Sequence, residues 1–418
     1  MTKQRPPTPD EIIARAGCGN AENIDRCLLD ICDRELHRPD EEPQDVELAF
    51  NCVRAVILRL DGNEAPEAQP LLAGAVFRRA QFLAQFGRPE EARHDFQDVA
   101  ATWGKSSDPA VRRIVAANYL EAGQFEEDQG NIRSAEQCYG LAAAYADDPD
   151  PITQKQVVDA LCNHVDIFIK RGWMDVAAER VTEIRARWQD HPEYWIRRRV
   201  ANLLVNYADG MKQDNERREE SLALHDDAIA YANRAVTDPP AYFIQAGAWL
   251  SKCSGYEKLE RHEEATACVD AFERWMEETV RPSDNGERPR HSMAEGSLRR
   301  AYLIKARCLN EIGRHAEAEE AFKQSGIHLG DLGEDFDKRQ TACSDMLRLV
   351  KIQADLGRKE EAKNLYDKII DRLFSFEKPV CTEETMVYLA MMWGYLEDGP
   401  NWFEKELTSP AAGSPDPS

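Results

Sequence analysis

The chain has 418 residues, 76 acidic against 53 basic side chains, a net charge of −23 and a mean hydropathy of −0.60. The concentrated positive footprint that holds a phosphate backbone is missing, which disfavours a nucleic-acid partner, and no stretch reaches the length needed to span a bilayer. The surplus of acid reads as a solubility device or as a complement to a basic partner. Eleven Cys are scattered without a Cys-x-x-Cys, and Cys138, Cys162, Cys253, Cys268, Cys308 and Cys343 fall inside helical runs, where Cys acts as a small buried hydrophobe. With no apolar leader over Met1–Asn20, a reducing, cytoplasmic setting is expected.

Residues 1–20 carry three Pro and two Gly and are expected to be a loose arm. A helical pair follows, near 21–37 and 44–60, and residues 21–66 form an N-terminal cap. Antiparallel pairs are expected next at 71–86 with 89–103, 109–129 with 132–147, and 151–171 with 174–189. Asp108-Pro109 and Asp150-Pro151 supply an N-cap followed by Pro at the first helical position. The pair at 192–212 and 216–236 is the least regular, because its connector, 212–220, is wholly polar and lacks Gly. Pairs at 239–260 with 262–280, 291–313 with 315–329 and 335–357 with 359–376 complete the series, and Arg281–Arg290 reads as an exposed loop. A helix near 382–396 would close the array of 67–407, leaving 408–418 as a disordered tail.

Six of these pairs share one short pattern. Phe86-Gly-Arg-Pro-Glu-Glu-Ala-Arg-His-Asp-Phe96, Ile312-Gly-Arg-His-Ala-Glu-Ala-Glu-Glu-Ala-Phe322 and Leu356-Gly-Arg-Lys-Glu-Glu-Ala-Lys-Asn-Leu-Tyr366 are the clearest copies. Weaker ones run from Gln129 to Tyr139, Arg171 to Val181 and Leu259 to Val269. Gly87, Gly130, Gly172, Gly313 and Gly357 would each close one helix in the left-handed conformation. Ala92, Ala135, Ala177, Ala265, Ala318 and Ala362 let two helices approach. The large residue four positions on (Phe96, Tyr139, Phe322 and Tyr366 among them) lies on the same face and fills the groove. One pair cannot bury its own apolar face, so pairs must stack.

On these residues the chain resembles the tetratricopeptide repeat family over roughly residues 71–376. Tyr119, Gly123, Gly130, Ala135, Tyr139, Ala142 and Pro149 follow the family order, and Trp249, Tyr256, Ala265 and Val269 make a second match. The packing Ala residues recur at intervals of 37 to 53, against about 34 in the common repeat, which is similar to the long-repeat members. The resemblance implies an all-α, right-handed solenoid of about eight antiparallel pairs plus a capping helix. It implies a non-catalytic interaction scaffold whose partner is a peptide or helix of another protein. The carboxylate clamp of some members needs Lys, Asn and Arg where this chain has Phe77, Gln81, Glu121 and Asp159, so that ligand mode is rejected.

One stretch reverses the acidic trend. Arg185, Arg187, Arg197, Arg198 and Arg199 outnumber Asp190 and Glu193 and are interleaved with Trp188, Tyr194 and Trp195. Arg and aromatic residues are the types most enriched in binding hot spots. Arg198, Asn202 and Asn206 step by four along one helix face, a spacing suited to hydrogen bonding with a peptide. These residues are the candidate partner site, weighed against inter-repeat core and solvated charge. Metal is not expected. Cys27, Cys32 and His37 are spaced by five, which spreads them around a helix, and Gly330–Asp337 lacks the calcium-loop pattern. No cofactor motif and no catalytic motif occurs among the nine scattered His or the acids. The alternatives to a scaffold are a sensor that closes around a small effector and, third, an enzyme with a site spread across repeats.

Overall fold

The computed structural model describes residues 8–19, 23–36, 43–212, 217–235, 242–280, 288–328, 336–375, 389–393 and 395–396. Residues 1–7, His37, the connector 213–216, the loop 281–287, most of the acidic stretch 330–337 and the tail 408–418 lie outside them. The described residues hold helices and no strand, and the fold is an all-α solenoid. They divide into two compact units, Met1–Gly210 and Met211–Ser418.

The first unit starts with α1 (Pro9–Ala16), α2 (Ile24–Leu36) and α3 (Pro43–Leu60). Pairs then follow as α4 (Gln69–Gln85) with α5 (Pro89–Trp103), α6 (Pro109–Asp128) with α7 (Ile132–Ala142), and α8 (Pro151–Lys170) with α9 (Met174–Trp188), before α10 (Tyr194–Met211). Helix α4 packs on α5 and α6, α6 on α7 and α8, and α8 on α9. The second unit holds α11 (Arg218–Ala235), α12 (Tyr242–Lys258) with α13 (His262–Trp275), α14 (Arg288–Glu311) with α15 (His315–Ser325), and α16 (Phe336–Asp355) with α17 (Lys359–Phe374). A π turn, Met276–Val280, extends α13, and residues 389–393 are helical again. Asp108 and Asp150 cap α6 and α8 as their sequence requires, with Asp108 accepting from the Ala110 amide at 2.7 Å and Asp150 from Thr153 at 3.1 Å.

Two expectations need correction. The loose arm contains α1, because Thr8 and Glu11 form a capping box, Pro9 opens the helix, and Ile12 and Ile13 are buried. Arg288–Arg290, assigned to a loop, belong to α14. Cys18 and Cys27 are joined by a disulfide, which the scattered cysteine pattern did not announce.

The shared pattern is a turn with a fixed wiring. Gly87, Gly130, Gly172, Gly313 and Gly357 have φ between 71° and 78°, and Glu260 takes the same place with φ 58°. In all six turns the next residue donates its amide five residues back, as Arg88 does to Leu83 and Arg358 to Gln353, at 2.7–3.0 Å. This is the Schellman closure. The same residue's carbonyl then accepts the first bond of the second helix, always from the packing Ala, at 2.9–3.1 Å. One residue therefore ends a helix and starts the next, which fixes the Gly-to-Ala spacing. The six Ala are fully buried, and Phe96, Tyr139, Val181, Val269, Phe322 and Tyr366 are buried beside them.

Arg at this turn position adds a charge device. Arg88 is bidentate to Glu91 and Arg314 to Glu317, both at 2.6–2.7 Å. In the second unit each such Arg also reaches back to the preceding second helix: Arg261 to Glu219, Arg314 to Glu263 and Arg358 to Glu319. Turn and neighbour are thus stitched along one edge.

Candidate functional site

Helix α10 buries Ile196, Val200, Leu203, Leu204 and Tyr207, the apolar stripe its sequence predicts. That leaves Arg198, Asn202 and Asn206 on another face, and the neighbouring Arg199 and Asn206 place that face beside α8. Arg199 donates to Asn163 Oδ1 at 2.7 Å, and its Nε lies 3.1 Å from Asp159. Asn206 donates to Asp166 at 3.3 Å. On α8 itself Lys155 pairs with Asp159 at 2.9 Å, and Lys170 crosses to Glu127 of α6 at 2.6 Å. Glu127 also accepts from the Tyr139 hydroxyl at 3.2 Å. Burial pushes the Asp166 carboxyl up, against the pull of Arg199 and the Asn206 hydrogen bond. The outcome is a polar seam across the first helices α6, α8 and α10.

A groove shares helix α6 with the seam. Gln81, Ala84 and Gln85 of α4, with Glu121, Gln124, Phe125 and Asp128 of α6, bound about 440 Å³ over Phe96. Carboxamides and carboxylates project around an aromatic floor. Such an arrangement can hydrogen-bond an extended backbone and accept one apolar side chain.

The candidate residues from the sequence are split by the fold. Trp188 is buried in the core, with the Arg187 guanidinium 5.2 Å over its ring, and Arg187 pairs with Asp147. Arg185 bonds Gln189 at 3.2 Å. Arg197 donates to the carbonyls of His191 and Pro192, bracing the turn into α10. Tyr194 is 42% exposed. Arg198 and Asn202 make no hydrogen bond or ion pair among the described residues. Arg199 and Asn206 come together with α8, while Arg185, Arg187 and Trp188 are held on α9. Sequence reasoning missed the α8 partners, although Lys155, Asp159, Asn163, Asp166 and Lys170 step by three or four and so share a face.

Other clusters offer less. A cleft of about 710 Å³ between α3, α4 and α5 is lined by Arg54, Arg79, Arg88, Glu91, His94 and Asp95. Its charges are largely neutralised in place, since Arg79 is bidentate to buried Asp95 and Arg88 to Glu91. His94, Asp95 and Asp98 lie within metal-ligand range of one another, but Arg79 occupies both Asp95 oxygens. In the second unit about 310 Å³ is enclosed by Arg307, Asn310, Arg348, Lys351, Ile352, Met391, Met392 and Tyr395. Behind it, Asp355 accepts from Asn310 at 3.1 Å and from Lys351 at 3.2 Å, and also from Tyr395. Burial drives the Cys52 and Cys138 thiols up to about 11 and those of Cys162 and Cys308 up to about 12, the opposite of an activated nucleophile.

No helix among the described residues is long and apolar enough to cross a membrane. No family model matches the chain, and no curated protein does. Solved structures similar to it include the apo form of RapI, at 12% identity over 92% of this chain and 85% of that one, with a TM-score of 0.44. An engineered protein matches at 15% identity over 93% of this chain and 99% of that one, also with a TM-score of 0.44. A monomeric IFIT1 mutant solved with Gppp-AAAA matches at 14% identity over 95% and 78%, with a TM-score of 0.29.

Proposed function

We propose that this chain is a non-catalytic scaffold of tetratricopeptide type, whose first-helix face in the first unit holds an extended segment of a protein partner. The observation that carries the reading is that groove and seam both draw on the polar side chains of α6. Gln81, Gln85, Gln124 and Asp128 line the groove, Glu127, Asp166 and Asn163 belong to the seam, and Asn202 and Arg198 lie on α10. Arg198, Asn202 and Tyr194 are the part of the arginine-aromatic stretch open to a partner. Arg187, Arg197 and Arg199 serve the fold and orient it.

A photo-activated cross-linker in place of Asn202 or Gln124 is expected to capture a partner polypeptide, whereas one at Leu141, 53% exposed on α7, is not. Equal capture at Leu141, or none at the first two, overturns the reading. The second reading, a small-effector sensor, draws on the 310 Å³ cleft, where Ile352, Met391 and Met392 lie beside Arg307, Arg348 and Lys351, each paired with a carboxylate. It requires a metabolite that raises the melting temperature and loses that effect in Met392→Trp.

A further inference from the structure

Helix α1 is eight residues long, well short of the roughly 12–15 at which an isolated helix persists in water. Its buried apolar side chains are Ile12 and Ile13, with Ala16 partly buried beside them, and they complete the core of Leu28, Leu29, Val53 and Val56 on α2 and α3. Gly17 ends it in the left-handed conformation, with φ 73°, and Cys18 follows, 1% exposed. Cys18 is bonded to Cys27 in the first turns of α2, with Cα atoms 6.1 Å apart, inside the usual range for a disulfide. Cys27 is only partly buried, so its sulfur is the one a small thiol can reach. Two isoleucines and a covalent clasp hold this helix in place.

We propose that α1 is a redox-held strap: the Cys18–Cys27 disulfide keeps it docked, and reduction releases it and bares the apolar surface of α2 and α3. The reductant is a small dithiol. One of its thiolates attacks Cys27 Sγ, the Cys18–Cys27 bond breaks, and the electron pair goes to Cys18 Sγ, which takes up a proton. The second thiol, losing its proton, then displaces Cys27 as a thiol. The reagent leaves as a cyclic disulfide, and the protein gains two hydrogens.

Hydrogen exchange on the full chain tests this, before and after treatment with dithiothreitol and in Cys27→Ser. Amides of residues 9–16 and 49–56 are expected to exchange about tenfold faster or more in the reduced protein and in the variant. Residues 109–128 of α6 should keep their rate and report that the unit stays folded. Peptide mapping after alkylation of free thiols must show Cys18 linked to Cys27 before reduction and both alkylated after it. An unlinked pair in the starting protein, or unchanged exchange in α1 once both are alkylated, overturns the proposal. The reduction arm stands even where Cys27→Ser disturbs folding.

Discussion

Gly123→Ala is the sharpest perturbation the packing offers. A Cβ at that position would sit 2.3, 2.5 and 2.8 Å from Cε1, Cδ1 and Cζ of Tyr139, where carbon pairs prefer about 3.5–4.0 Å. The ring cannot step aside, since Tyr139 is fully buried and its hydroxyl is tied to Glu127. α7 must therefore move away from α6 by about an ångström or more, an overpacking cost near the upper end of ~1–3 kcal/mol. Ala is the better helix former by ~1 kcal/mol, which leaves a net loss of about 2 kcal/mol. Solenoid repeats open locally, so the assay is hydrogen exchange across residues 109–145 alongside urea unfolding. The control is the same change in a Tyr139→Ala background, where the clash is gone and only propensity remains. There Gly123→Ala should be neutral or stabilising by up to ~1 kcal/mol. A neutral Gly123→Ala in the parent, or an equal loss in both backgrounds, refutes the argument.

The turn wiring gives a pair of opposite signs: Gly357→Ala, with φ 76° and open space around it, should lose about 1 kcal/mol, while Glu260→Gly, relieving φ 58°, should gain a smaller amount. Urea midpoints that move in the same direction would contradict this. Burial, with help from Arg180, pulls the His164 imidazole down to about 4, and its Nδ1 has no partner beside Phe168. A folded pKa below the unfolded one means the unfolded chain takes the proton first, so this contribution is whole above about pH 6.5 and is lost as pH falls toward 4. His164→Phe should then lose less stability than the parent between pH 7.5 and 5, and identical slopes would remove His164 as the source. Arg199→Glu should lower the melting temperature, since it sets a carboxylate against Asp159 and strips Asn163 of its donor. Arg198→Glu should stay within about 0.5 kcal/mol of the parent yet weaken partner capture, and a large loss of stability there would move Arg198 into the fold.

Much of the fold was legible because its signals are local. A left-handed residue, an Ala five positions after it and a large apolar residue four beyond that recur together around one hydrogen-bonded turn, so each copy announces a helix end and a helix start together. Asp-Pro pairs do the same at α6 and α8. The candidate site was legible only in part. Arg198, Asn202 and Asn206 stand out by spacing on one helix, but what they lie beside depends on α8, whose polar stripe looks like any solvated face until α10 is set against it. Composition drew attention to Arg187 and Trp188, and tertiary packing used them for the core and a charge pair. The disulfide was not legible because Cys18 follows α1 and Cys27 lies in α2, so the two do not share a helical face.

The uneven repeat length follows from where the structure is constrained. From the left-handed residue to the packing Ala the wiring is the same in all six turns, so that segment cannot change length without losing the shared residue that ends one helix and begins the next. Among the described residues no shared closure recurs in the passage from a second helix to the following first helix. There the chain uses a 3₁₀ turn and Asp caps before α8, and a π turn before the 24-residue α14, where α12 has only 17 residues. Length therefore varies on the side of each pair that shows no shared wiring among the described residues, and the packing Ala is still fully buried. Periodicity measured along the chain understates the regularity of such an array. The conserved quantity is the geometry of the turn, and the freedom left between pairs is what allows first helices of different lengths and polar faces to be set side by side.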